Sequence, residues 1–258
     1  MNKFIIILFS LSLVFLQISK VNADQHLYEI LAEIQKENAN KPNIPMNDND
    51  PYENYNRTIF NFNLGFNDLI GQPVANIYNS LPSPMTTGIS NFFRNLGEPL
   101  NIINALAQGK VEVAMSSFMR FSLNTTLGLF GLIDIADEAG LKYQKEDLGQ
   151  TLYQWGMWTE SSFIMIPFVG AYTTRELIGV SIDSSYDPTY NKILKNNKMG
   201  YFIGEKFVSY ASVIQLVDEM KKQPDPYIFM RESYLQHRIN LIYDGNPPEA
   251  EMDDFDFE

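Results

Sequence analysis

The sequence predicts an all-α chain, and three observations carry that reading. Apolar residues recur at steps of three and four along most of the length, which is the period of one helix face. Alternation of period two is scarce, so any strand would be short. Beyond the amino-terminal region no run of 18 consecutive apolar residues occurs, so no conventional membrane-spanning helix is expected.

The elements follow in order. Lys3 supplies a short positive region, Phe4–Ile18 is an apolar run, and Val21-Asn22-Ala23 fits a small-x-small cleavage site. Residues 1–23 therefore read as an export signal, with a mature chain starting at Asp24. Asp24–Asn40 makes a short amphipathic helix with Leu27, Ile30, Leu31 and Ile34 on one side. Lys41–Asn49, rich in Pro, Asn and Asp, reads as a linker. A compact domain is expected over 50–244, and the acidic, proline-bearing stretch 245–258 as a solvated, disordered tail.

Within the compact region Tyr55, Ile59, Phe62, Phe66, Leu69 and Ile70 mark a first helix, with Asp50 as its cap, Pro51 in its first turn and Glu53 three residues on. Its other face carries uncharged amides where Lys and Glu are usual, a pairing suited to an environment neither aqueous nor apolar. Glu98-Pro99 and Gly109 bracket a short segment, Leu100–Gln108. Val111, Ala114, Met115, Phe118 and Met119 form a second stripe, and Ile203, Phe207, Tyr210, Ile214 and Val217 a third. Asp225-Pro226 opens a last helix whose Ile228, Leu235, Ile239 and Ile242 share a face.

Two segments are unusual. Phe121–Ile135 has no charge before Asp134 and holds Gly128 and Gly131; as a straight helix it would be about 22 Å long. Phe163–Val169 is apolar, broken by Pro167, and preceded by Trp155 and Trp158. Both read either as elements that enter one membrane leaflet and turn back, or as buried core segments.

Composition excludes several functions. The net charge of −12, which becomes −14 without Lys3 and Lys20, repels a phosphate backbone, so nucleic acid is a poor partner. There is no cysteine, hence no disulfide and no thiolate chemistry, and there are only two histidines, His26 and His237. No GxSxG elbow, HExxH, phosphate-binding glycine loop or EF-hand occurs. The sequence predicts neither an enzyme nor a cofactor or metal site.

Six ordered blocks then coincide with a known family. Asp50–Asn63 resembles the opening motif DPxExxNRxxxxFN of the MlaA/VacJ outer-membrane proteins. Phe92–Pro99 resembles that family's SNFxxNLxEP, and Arg120–Ala136 its RFxxNTxxGxxGxxDxA. Asp147–Gly156, Pro167–Glu176 and Asp225–Arg238 follow in the expected order. The resemblance implies a ring-shaped single domain of amphipathic helices, partly embedded in the periplasmic leaflet of the outer membrane, with a central channel. It implies removal of misplaced phospholipid from the outer leaflet, handover to a periplasmic lipid-binding shuttle, and association with a trimeric porin. It also implies candidate channel and gate residues. Asn61, Phe62 and Asn63 align with the channel-controlling segment, and Asn124, Leu127, Gly128, Leu129, Phe130 and Gly131 with a flexible hairpin. Gln150, Thr151 and Trp155 fall beside an apolar run, where neutral polar groups suit a headgroup track. Each group also admits a plain packing role.

The chain departs from the family in two places. It lacks the lipobox cysteine, so it must hold the membrane by its own apolar belt. The Gly-Pro that usually follows the tryptophan block is replaced around Thr159–Ser162.

Overall fold

A computed structural model of the protein describes residues 50–247, apart from 190, 192, 193 and 195. The signal, the short amphipathic helix, the linker and most of the acidic tail expected from the sequence lie outside the described residues.

The chain runs as α1 (Glu53–Phe66), a π-helical turn (Asn67–Gly71), α2 (Gln72–Asn79), α3 (Ser83–Ala107), α4 (Val111–Thr126), α5 (Ile135–Glu138) and α6 (Leu148–Gln154). A hairpin of β1 (Phe163–Ile166) and β2 (Gly170–Thr173) follows. Then come α7 (Thr174–Tyr186), α8 (Lys198–Ser212), α9 (Ile214–Lys221) and α10 (Pro226–Ile242). The fold is all-α apart from that antiparallel hairpin, in which Phe163 pairs with Thr173 and Ile166 with Gly170. The packing partners close a circuit: α3 meets α6, α6 meets α10, α10 meets α9, α9 meets α8, and α8 returns to α3.

Several local expectations are revised. Asp50 does not cap α1; Tyr52 holds that position without a side-chain bond. The Asp50 carboxylate instead accepts from Asn56 (2.7 Å), Arg231 (3.1 Å) and the Tyr227 hydroxyl, so a long-range partner replaces a local one. The segment 100–108 is no separate helix: α3 runs unbroken through Pro99 for 25 residues. A proline inside a helix forfeits one backbone hydrogen bond, and packing of α3 along α4 offsets that loss. The third apolar stripe is divided at Val213 between α8 and α9. At α10 the sequence reading holds, with the Asp225 carboxylate accepting from the backbone of Tyr227 and Ile228.

The largest revision concerns which side of α4 is inside. Its buried face is Ala114, Ser117, Arg120 and Asn124, whereas Val111, Met115, Phe118 and Met119 point outward. The same inversion holds generally: among the described residues, buried polar and charged side chains outnumber buried apolar ones, while large apolar side chains are widely exposed. Buried charges are tolerated only when paired or hydrogen-bonded, and most here are paired; Arg175 is held instead by the Trp158 and Thr159 carbonyls, and Asp183 by neutral donors. Arg120 bonds Glu98 at 2.7 Å and Asp134 at 2.9 Å. Arg57 joins Glu53 to Asp225, and Arg238 binds Asp147. A smaller apolar core of Phe60, Phe163, Met165, Met220 and Tyr227 lies under the hairpin. Phe163–Ile166 is thus core, while the turn beyond it carries an exposed Phe168.

Candidate functional site

A cavity of about 480 Å³ opens between α3, the segment leading into α6, α7 and α8. Three helices turn a face toward it at helical spacing: Ser90, Phe93, Arg94 and Gly97 from α3, Val180, Asp183 and Ser184 from α7, with Asp187 just past its end, and Tyr201, Glu205, Val208 and Ser212 from α8. A second cavity of about 240 Å³ adjoins it, lined by Tyr78, Asn79, Thr86, Thr87 and Asn91. Ser90, Arg94, Val208 and Ser212 line both. The volume of the larger cavity suits a small amphipathic ligand or the polar end of a bigger one.

The lining mixes apolar rings, hydroxyls and charges, and the charges are not equivalent. Asp147 is engaged by Arg238 through bonds of 2.8 and 3.1 Å. Burial alone would raise its pKa, but the Arg238 charge prevails and holds it at about 2. Glu146 accepts from Lys110 (3.0 Å), Gln108 (2.8 Å) and Gln150 (2.9 Å), and burial still pushes its carboxyl up. Asp183 takes the backbone N–H of Leu148 (3.0 Å) and the Asn104 amide (3.2 Å); burial raises it too. On the cationic side, Lys145 forms no ion pair with a described residue, and Lys206 lies 3.4 Å from its neighbour Glu205 and 5.8 Å from the centre of the Phe202 ring. Asp147, Glu146 and Asp183 thus spend acceptors within the protein, while Lys145 and Lys206 place positive charge in the cavity lining.

None of the twelve residues singled out from the sequence lines either cavity. They fall into three separate places. On α1, the Asn63 amide donates to the Ile166 carbonyl (3.1 Å) and accepts from the Phe168 N–H (2.8 Å), clamping the β-hairpin turn. Phe62 and Phe66 both meet the Phe168 ring edge-on, each with centroids 5.0 Å away. Asn61 lies beside them, half-buried.

The second group forms the tight turn between α4 and α5. The Asn124 amide bonds Asp134 (2.9 Å) and the Ala136 N–H (2.9 Å), and its carbonyl accepts from Gly131 (2.8 Å). A Cβ on Gly128 would stand 2.1 Å from the Ile133 carbonyl oxygen, so only glycine fits there. Leu129 and Phe130 are held at φ of 52° and 59°, a region L-residues avoid. That strain aims Leu127, Leu129 and Phe130 outward, with Phe130 75% exposed. The tip continues the apolar outer face of α4.

The third group is on α6. Gln150 completes a capping box with Asp147 and donates to Glu146 and the Leu241 carbonyl; Thr151 bonds Asn104 and Gln108. Both are fully buried and spend their polar atoms on protein partners. Trp155 is half exposed, its indole N–H on the Ala107 carbonyl at 2.8 Å. The residues reasoning from sequence missed are Arg94, Tyr143, Lys145 and Lys206. One signal was present: Arg94 is the only Lys or Arg between Arg57 and Lys110.

Among the described residues no helix is long and apolar enough to cross a membrane, and no cluster of metal-ligating side chains occurs.

Residues 48–240 match the family described as MlaA lipoprotein. The chain is 35% identical over 201 residues to the intermembrane phospholipid transport system lipoprotein MlaA of Shigella flexneri, covering 76% of this chain and 79% of that one. The protein of the same description from Escherichia coli (strain K12) gives the same identity and coverage. A solved structure from work on the structural basis for maintenance of bacterial outer membrane lipid asymmetry superposes with a TM-score of 0.66 at 33% identity. It covers 76% of this chain and 99% of that one.

Proposed function

The chain belongs to the MlaA lipoprotein family, and on that premise we propose that it is the outer-membrane component of an intermembrane phospholipid transport system. It takes misplaced phospholipid from the outer leaflet through an amphipathic passage and hands it to a periplasmic lipid-binding shuttle, so that the membrane stays asymmetric. It works as a conduit, without chemistry of its own.

The observation that carries this reading is the inverted burial. A protein bathed in water on all sides buries its apolar side chains and rarely exposes large contiguous apolar patches. Here the outer face of α4 and the tip beyond it present Val111, Met115, Phe118, Leu127, Leu129 and Phe130 to the surroundings, while the inside holds hydrogen-bonded ion pairs. Acyl chains are the surroundings that make such a surface favourable. With no described helix long enough to span, the chain sits in one leaflet. The mixed-polarity cavities then give a headgroup a path that lipid tails alone would not. Association with a trimeric porin, which the family resemblance implies, would seat the ring in the membrane plane.

The test is extraction behaviour. The protein made in full should stay with outer membranes through a high-salt wash and carry phospholipid when purified in mild detergent. Recovery in the salt supernatant would instead favour a soluble periplasmic lipid-binding adaptor or carrier.

A further inference from the structure

The junction of the two cavities carries a specific recognition group. We propose that Arg94 is the residue that reads a lipid's phosphodiester, and that it sets the preference for phospholipid over neutral lipid; this rests on the transport reading above.

Four residues line both cavities, and Arg94 is the only charged one among them. It is also the sole Lys or Arg between Arg57 and Lys110. Its contacts with Asn91, Asp134 and Tyr143 do not use all its donors. Its Nη2 donates to the Asn91 side-chain oxygen, and the nearest carboxylate, Asp134, is 3.6 Å away. Asp134 is already satisfied by Arg120, which bonds both its oxygens, by the Asn124 amide, and by the Asp137 N–H. The Arg94 Nε is buried with no partner. A guanidinium offers five donors in a fixed fork; here Nη2 serves Asn91 and faces Asp134, and the Nε–H is without a partner. An unpaired buried donor is costly, so a ligand that supplies an acceptor gains what the apo protein forgoes. Phosphate oxygens match the fork in spacing and charge.

The larger cavity carries both signs of charge. Lys145 and Lys206 face five carboxylates: Asp147 and Glu146 pair with Arg238 and Lys110, Asp183 and Asp187 accept backbone N–H groups, and Glu205 lies beside Lys206. The ring of Tyr143 lies 5.7 Å under the Arg94 guanidinium, holding it over the cavity and leaving its edge free. A headgroup moving between the two cavities meets Arg94 in their shared lining, so on this proposal it both selects and slows transit.

The experiment measures binding of two probes of equal acyl length to the purified full chain in detergent: lysophosphatidylglycerol and a monoacylglycerol. The wild-type protein should prefer the phosphorylated probe. R94Q should weaken lysophosphatidylglycerol about tenfold, the loss carried by one charge-assisted hydrogen bond, and leave monoacylglycerol unchanged. R94K, which keeps the charge but not the fork, should fall between, and it decides the matter if R94Q does not fold. Equal affinities for wild type and variant, or equal loss for both probes, would overturn the role of Arg94 while leaving transport standing. Wild-type protein that binds neither probe would overturn both readings. Displacement of the lipid probe by millimolar inorganic phosphate would identify a free anion as the ligand and overturn the lipid assignment.

Discussion

Gly131 lies against Asn95, so close that a Cβ at position 131 would stand 2.6 Å from the Asn95 Cβ. This contact joins the turn after α4 to α3, the helix that carries Arg94. Gly131 also sits at φ 91°, so alanine there meets both a clash and an unfavourable backbone. We expect G131A and G128A each to cost roughly 2–4 kcal/mol, seen as a lowered midpoint in chemical denaturation. An unchanged midpoint would show that the turn is soft.

Phe130 gives the opposite prediction for stability and function. Its left-handed backbone costs about 1 kcal/mol that its exposed ring does not recover in water. F130G should therefore raise stability in detergent-free buffer by roughly 0.5–1 kcal/mol. The same variant should bind phospholipid vesicles more weakly in a flotation assay. Loss of stability together with normal flotation would mean the ring serves packing and not lipid.

The Asp147–Arg238 pair ties α6 to α10 and should make the fold acid-sensitive. The folded-state pKa of Asp147 is depressed from 3.8 to about 2, so its contribution is complete above the unfolded value and is lost as pH falls between them. That window is worth about 2 kcal/mol. Glu98, Glu146, Glu176 and Asp183 are raised by burial, so they act with the opposite sign and favour the fold slightly as pH drops toward the carboxylate range. D147N should cost about 3 kcal/mol at neutral pH, because Arg238 loses its main partner. The gap to wild type should narrow below pH 3. A pH-independent gap would rule out the ionic origin.

Asn63 should matter for one amide in particular. Its side chain accepts from the Phe168 N–H and donates to the Ile166 carbonyl. N63A should cost about 1–3 kcal/mol and accelerate hydrogen exchange at Phe168 far more than within α1. Uniform acceleration would indicate global loosening in place of a local clamp.

What could be read in the sequence was the frame. The blocks that carry the family resemblance supply the buried polar contacts: Asp50 meets Asn56, Tyr227 and Arg231, Arg120 meets Glu98 and Asp134, and Asp147 meets Arg238. Such pairs join segments far apart, so their residue types are constrained and stand out. The cavity lining is less constrained in type, and its faces are assembled from α3, α7 and α8, which no local pattern connects. The hairpin escaped for another reason: two four-residue strands are too short to show a period, and Pro167 looked like a kink where it serves as a turn. The direction of α4 also lay beyond periodicity, because an apolar stripe marks a face without saying whether protein or lipid lies against it.

The most direct test of the account measures phospholipid in the outer leaflet of cells that lack the chain, with and without the gene restored. The account predicts that surface-accessible phospholipid rises on deletion and returns to normal with the wild-type protein. Deletion that leaves the outer leaflet unchanged would contradict it.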